Sequence, residues 1–123
     1  MSQAGLLVSG SSGTASTIGA VTGDAITLSL GAVAATYAIE ARVAGFEPTT
    51  PAGAGYKIFG TVRTDGLAAT LVGTPDVIVN EEAALAGADA TLVVAANTAI
   101  IQVTGVALLT IRWNAQAQYT AVI

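Results

Sequence analysis

Residues 108–123 read LLTIRWNAQAQYTAVI. Leu109, Ile111, Trp113, Ala115, Ala117, Tyr119 and Ala121 fall on one parity, and Thr110, Arg112, Asn114, Gln116, Gln118 and Thr120 on the other. Successive side chains of a strand point to opposite faces, so this alternation sorts the segment into one apolar and one polar side. A helix with 3.6 residues per turn scatters the same residues around its circumference. The segment is therefore a half-buried strand. Its polar side carries amides and hydroxyls, with Arg112 the single charge, which suits a lateral protein contact better than open water.

The same period runs back through the chain. ATYAIEARV (35–43) places Tyr37, Ile39, Ala41 and Val43 on one face, with Thr36, Ala38, Glu40 and Arg42 on the other. AITLSL (25–30) is short and β-prone and stops at Gly31. YKIFGTVRT (56–64) and LAATLV (67–72) flank Asp65-Gly66, a dipeptide that supplies the positive φ angles of a type I′ hairpin turn. A two-residue turn there sets Thr61 opposite Thr70 and Val62 opposite Ala69. Gly60 then faces Leu71, at a position fit for close backbone approach. The two prolines of GFEPTTPAGAG (45–55) predict a break in the sheet, because proline cannot donate to a ladder. Gly73-Thr74-Pro75 predicts another turn before a strand DVIVNEE (76–82). AALAGAD (83–89) reads as one helical turn or a loop, and ATLVVAA (90–96) and TAIIQV (98–103) as strands around Asn97.

About seven short strands separated by turn signals predict an all-β fold, an antiparallel β-sandwich or jelly roll. Residues 1–24 are rich in Gly, Ser and Thr, and are expected to form an extended N-terminal arm ahead of a sandwich domain at 25–123. Two readings of that arm stand side by side, a flexible tail and a strap that docks on a neighbouring subunit. Leu6, Leu7, Val8 and Ile18 weigh against a wholly free tail. A length of 123 residues fits one domain.

Composition narrows the function. The chain has no His and no Cys, and only 10% of its residues are charged, against about 25% in ordinary soluble domains. The usual general bases, thiol nucleophiles and soft metal ligands are thus missing. Glu81 and Glu82 are neighbours on a strand and point to opposite faces, so they cannot flank one glycosidic bond. Asp76, Glu81, Glu82 and Asp89 are oxygen donors of the kind calcium takes, but no D-x-[DN]-x-[DN]-G loop organises them. The run SGSSG (9–13) has no His partner, and no phosphate-cradling glycine motif is present. No enzyme activity, catalytic residue, cofactor or metal is expected.

The net charge of −4, with Arg42, Lys57, Arg63 and Arg112 dispersed, argues against a nucleic-acid partner. No signal-peptide pattern opens the chain. Residues 90–111 are uncharged and long enough to cross a bilayer, but Asn97, Gln102 and several Thr interrupt them. Three short strands in series are expected there, and no membrane partner. Hydrophobic residues make up 53% of the chain. A surface so poor in charge predicts burial between copies, because large exposed apolar patches are rare on monomers. Arg112, Trp113 and Tyr119 are the candidate subunit-interface residues. The two aromatics fit a core role first by type, an interface role second and a sugar-stacking role last.

The stretches GTVRTDGLAATLVGTPDVIVNEEAAL (60–85) and NTAIIQVTGVALLTIRWNAQAQYTAV (97–122) resemble β-rich virion proteins of tailed bacteriophages, in which a VTG-V-A…T-I-R-W segment and a final alternating strand close a small β domain. The resemblance covers about the last two thirds of the chain and transfers no catalytic site. It implies a virion structural protein assembled in the host cytoplasm. Two settings follow. One is a capsid cement (decoration) protein, expected as a homotrimer that binds across subunits of the major capsid protein. The other is a tail fibre, spike or baseplate component with a receptor-binding or connector role. A start at Met1, and an end just after the closing strand without a long shaft, favour cement.

Overall fold

The computed structural model describes the backbone of residues 6–123 and the side chains of residues 10–123. Alternation of apolar and polar residues yields eight strands: β1 (Leu6–Ile18), β2 (Thr22–Ser29), β3 (Ala35–Glu47), β4 (Ala52–Thr64), β5 (Ala69–Glu81), β6 (Asp89–Ala95), β7 (Thr98–Thr104) and β8 (Thr110–Val122). A single 3₁₀ turn (Ala83–Leu85) separates β5 from β6. The five strands of 13 residues form one sheet in the order β1-β8-β3-β4-β5, and the three short ones form a second, β2-β7-β6. Every pairing is antiparallel. The fold is the expected all-β antiparallel sandwich.

The core lies between the sheets. The long sheet contributes Ile39, Val43, Tyr56, Ile58, Val62, Ile111 and Trp113, and the short sheet Ile26, Leu28, Leu92, Ile101 and Val103. Burying a side chain such as Ile58 or Val62 contributes about 1.5–3 kcal/mol. In β8 the parity read from the sequence holds: Ile111, Trp113, Ala115, Ala117 and Ala121 are buried, Tyr119 is half-buried, and the six polar residues from Thr110 to Thr120 are exposed.

Small residues let the backbones approach. A Cβ on Gly45 would lie 2.7 Å from Cζ3 of Trp113, its partner across the β3–β8 ladder. A Cβ on Gly13 would lie 1.9 Å from the carbonyl oxygen of Ala25 on β2. Gly13, Ala15 and Thr17 thus form an inner edge thin enough for β1 to lie against the short sheet. Residues 6–18 of the expected arm are, accordingly, an edge strand of this chain's own long sheet, paired with β8 from Leu6↔Val122 to Ile18↔Thr110. Residues 1–5 of that arm lie outside the described residues.

Three local expectations are corrected. The break at 45–55 shrinks to residues 48–51, since β3 runs to Glu47 and β4 starts at Ala52. The Glu47 carboxylate closes this turn by accepting from the N–H groups of Thr49 (3.0 Å) and Thr50 (2.6 Å) and the Thr50 hydroxyl (2.5 Å). The β4–β5 loop holds four residues, not two. Thr61 pairs with Val72, Val62 with Leu71 and Thr64 with Ala69. Gly66 has the expected positive φ of 96°. The Asp65 carboxylate, however, accepts from the N–H groups of Leu67 (2.8 Å) and Ala68 (2.9 Å), so the chain wraps the side chain before it returns. A shift of two residues keeps every side chain on its expected face. Finally, Gly73-Thr74-Pro75 is no turn. It is a bulge opposite Gly60 inside a continuous β5. Gly60 does mark a close approach, but to Leu92 and Pro75.

At the β4–β5 end of the sandwich, Asn97 joins three connections. Its side-chain N–H groups donate to the carbonyls of Leu30 (3.1 Å) and Gly31 (3.2 Å), and its side-chain oxygen accepts from the Thr64 hydroxyl. Residues 90–111 are β6, β7 and the first residues of β8, as expected. No helix among the described residues is long and apolar enough to cross a membrane.

Candidate interaction face

The outward side of the long sheet is built from the polar parity of its strands. Antiparallel register sets side chains of one parity in transverse rows. One row is Ser12, Gln116, Arg42, Lys57 and Ile78, and the next is Gly10, Gln118, Glu40, Phe59 and Asp76. Two shallow depressions lie on this face. Ser12, Arg42, Ala44, Asn114 and Gln116 line one, and Ala38, Glu40, Phe59, Gln118 and Thr120 line the other. Alanines at 38 and 44 make the dips, and amides, hydroxyls, Arg42 and Glu40 rim them. The face is equipped for hydrogen bonding and flat apolar contact.

The three candidate interface residues divide. Arg112 is exposed and lies opposite Ser16 and Phe46. Trp113 is only 2% exposed, its ring centroid 6.0 Å from that of Tyr56, and its indole N–H donates to Thr17. The interior of this chain thus encloses the indole, which corrects its assignment to a contact surface. Tyr119 is half-buried, with its ring centroid 5.4 Å from that of Tyr37 at an interplanar angle of 59°. The outward side of β8 is therefore the row that begins at Thr110 and includes Arg112.

The acidic residues serve separate local bonds. Glu81 accepts from the Tyr56 hydroxyl at 2.5 Å, and Glu82 from the Gly53 N–H at 3.0 Å. Burial, and then the Glu81 carboxylate, push the Tyr56 phenol well above its ordinary range. Asp76 lies opposite Phe59 on the outward face, and Asp89 accepts from the Ala90 N–H. Among the described residues no three of His, Cys, Asp and Glu stand close enough to hold a metal ion.

Apolar side chains that the sequence reading passed over also belong to this surface. Phe46, Phe59, Val72 and Ile78 are each about half exposed or more. The signal was a parity conflict. Ile58 and Phe59 are adjacent, as are Val77, Ile78 and Val79, so each run must send an apolar residue outward.

No family model matches the chain, and no curated protein matches it. Among solved structures it is similar to the tailspike protein of Acinetobacter baumannii phage AM24, with a TM-score of 0.45 and 8% identity over 91% of this chain. The match spans 26% of the tailspike chain. A likeness this distant supports no conclusion about fold or role.

Proposed function

We propose that this chain is a structural protein of a tailed-bacteriophage virion, and within that class a capsid cement protein. The observation that carries the reading is the outward side of the long sheet. It is 13 residues long on every strand, carries amides and hydroxyls together with Glu40, Arg42, Lys57, Asp76 and Arg112, and is interrupted by half-exposed Phe46, Phe59 and Ile78. Such a surface has much area to offer a flat partner. The resemblance of residues 60–85 and 97–122 to phage β domains supports the same class. The mechanism is mass action: a chain that binds the assembled shell, and not its free subunits, stabilises the shell by about 2.7 kcal/mol per site at a hundredfold excess over Kd. Further copies of this chain and the major capsid protein are the proposed partners.

The test is the copy number and position of the chain in purified virions. Hundreds of copies on the shell are expected. A handful confined to the tail would replace cement by a fibre, spike or baseplate role, and absence from virions would end the virion reading. Arg112→Glu combined with Gln116→Lys should weaken shell binding while leaving the far-UV circular dichroism unchanged.

A further inference from the structure

The long sheet ends in an edge that nothing among the described residues covers. β6 lies beneath β4 and β5, and β2 lies against β1. Beyond the Gly73–Pro75 bulge, residues 76–81 (DVIVNE) form the outermost strand, with Ile78 61% and Val79 47% exposed. Native edge strands are blunted by lysine, proline, bulges or brevity, because a free ladder pairs with any strand that reaches it. Residues 76–81 contain no lysine, proline or bulge, and their two charges, Asp76 and Glu81, stand at the ends of the run and leave Val77, Ile78 and Val79 unguarded between them. The opposite edge, β1, offers only Gly, Ser, Thr and Ala over residues 9–17.

We propose that this edge pairs with the same edge of a second copy, antiparallel and about a two-fold axis at Ile78, so that two five-stranded sheets become one continuous sheet. Charge and shape select both partner and register. In a two-fold antiparallel pair the residue on the axis faces itself, and its neighbours pair symmetrically. With Ile78 on the axis, Ile78 meets Ile78, Val77 meets Val79, and Asp76 meets Asn80, a carboxylate against an amide. Both copies of Val79, which face inward beside Tyr56 yet stay half exposed, gain an apolar partner. The neighbouring registers fail. An axis at Asp76 opposes two carboxylates, and one at Val79 opposes Asp76 to Glu82. An axis at Val77 sets Asp76 against Ile78, and one at Asn80 sets Ile78 against Glu82. Like charges directly opposite are destabilising. The inference stands on the edge itself and holds whether or not the chain belongs to a virion. It replaces the expected three-fold assembly by a two-fold one.

The chain has no cysteine, so a single substitution introduces the only thiol. Directly opposite residues have Cα atoms about 4.5–5.5 Å apart, within disulfide reach. Ile78→Cys should therefore form a covalent dimer on mild oxidation. Asp76→Cys alone and Asn80→Cys alone should not, because each lies roughly 14 Å along the ladder from its own copy. A mixture of the two should cross-link. Wild type should scatter light as a dimer, and Ile78→Lys as a monomer with unchanged circular dichroism. A monomeric or trimeric wild type would overturn the proposal. So would an Ile78→Cys chain that cross-links to Ser12→Cys on β1 in preference to itself.

Discussion

The indole N–H of Trp113 donates to the hydroxyl of Thr17 at 2.9 Å, a buried bond that spans 96 residues of sequence. It ties β1 to β8 from within the core, one step diagonal to the Ala15↔Trp113 pair. An interior donor or acceptor left without its partner costs about 1–3 kcal/mol. Thr17→Val and Trp113→Phe should each destabilise by at least that amount in urea unfolding. The double variant should fall short of their sum by about 1 kcal/mol, since it removes both orphaned groups at once. Additive effects would show that the bond contributes nothing.

Three glycines rank by what their missing Cβ would strike. At Gly13 the obstacle is the backbone carbonyl of Ala25, at Gly45 the rigid ring of Trp113, and at Gly60 Cδ2 of Leu92, the far end of a flexible side chain. Gly60→Ala should cost about 1 kcal/mol or less, because the loss of chain entropy in the unfolded state offsets part of the strain. Gly45→Ala should cost about 2–3 kcal/mol, and Gly13→Ala more. Thermal unfolding of the three variants checks the order. Equal losses would mean that the sheets do not meet where the glycines place them.

The same residues explain what was legible in the sequence. β8 was readable because each inward position is apolar and each outward one polar through Thr120, so parity alone fixed its faces. β1 was not. Its inward residues are Gly13, Ala15 and Thr17, chosen for thinness against the Ala25 backbone, and a strand of small residues carries no hydrophobic period. The β4–β5 register slipped by two because Asp65-Gly66 encodes a positive φ equally in a short turn and in a loop wrapped around the aspartate. The order β1-β8-β3-β4-β5 pairs residues more than a hundred positions apart, such as Leu6 with Val122, and no local pattern reports it. The outward face was half legible. The polar row of β8 was seen, but the enclosure of Trp113 depends on Gly45 and Tyr56 of neighbouring strands.

Glu47 makes stability depend on acid. Hydrogen bonds from the Thr50 hydroxyl and N–H, with those of Thr49, hold its pKa at about 2, against 4.5 in a free chain. The folded state thus binds this proton more weakly than the unfolded state. Its contribution is complete above pH 4.5, shrinks as the unfolded chain takes up the proton, and is gone once the pH falls through about 2. Wild type should therefore melt above Glu47→Gln at neutral pH, and the gap in Tm should close across that acid window. A gap that stayed constant would assign the difference to packing and not to the carboxylate.

Leu108 sits in the left-handed region at φ 68° and is 99% exposed. It belongs to the β7–β8 connection, where the Leu109 N–H donates to the Val106 carbonyl at 3.1 Å and so bends the chain through this position. Left-handed backbone costs an ordinary L-residue about 1–2 kcal/mol, whereas asparagine tolerates it through local hydrogen bonding. The leucine side chain stands in solvent, so replacing it forfeits no burial. Leu108→Asn should raise stability by about 0.5–1 kcal/mol, seen as a higher urea midpoint at constant slope. Leu108→Val should lower it, because branching at Cβ tightens the same steric conflict. Two neutral substitutions would place the bend elsewhere in the connection.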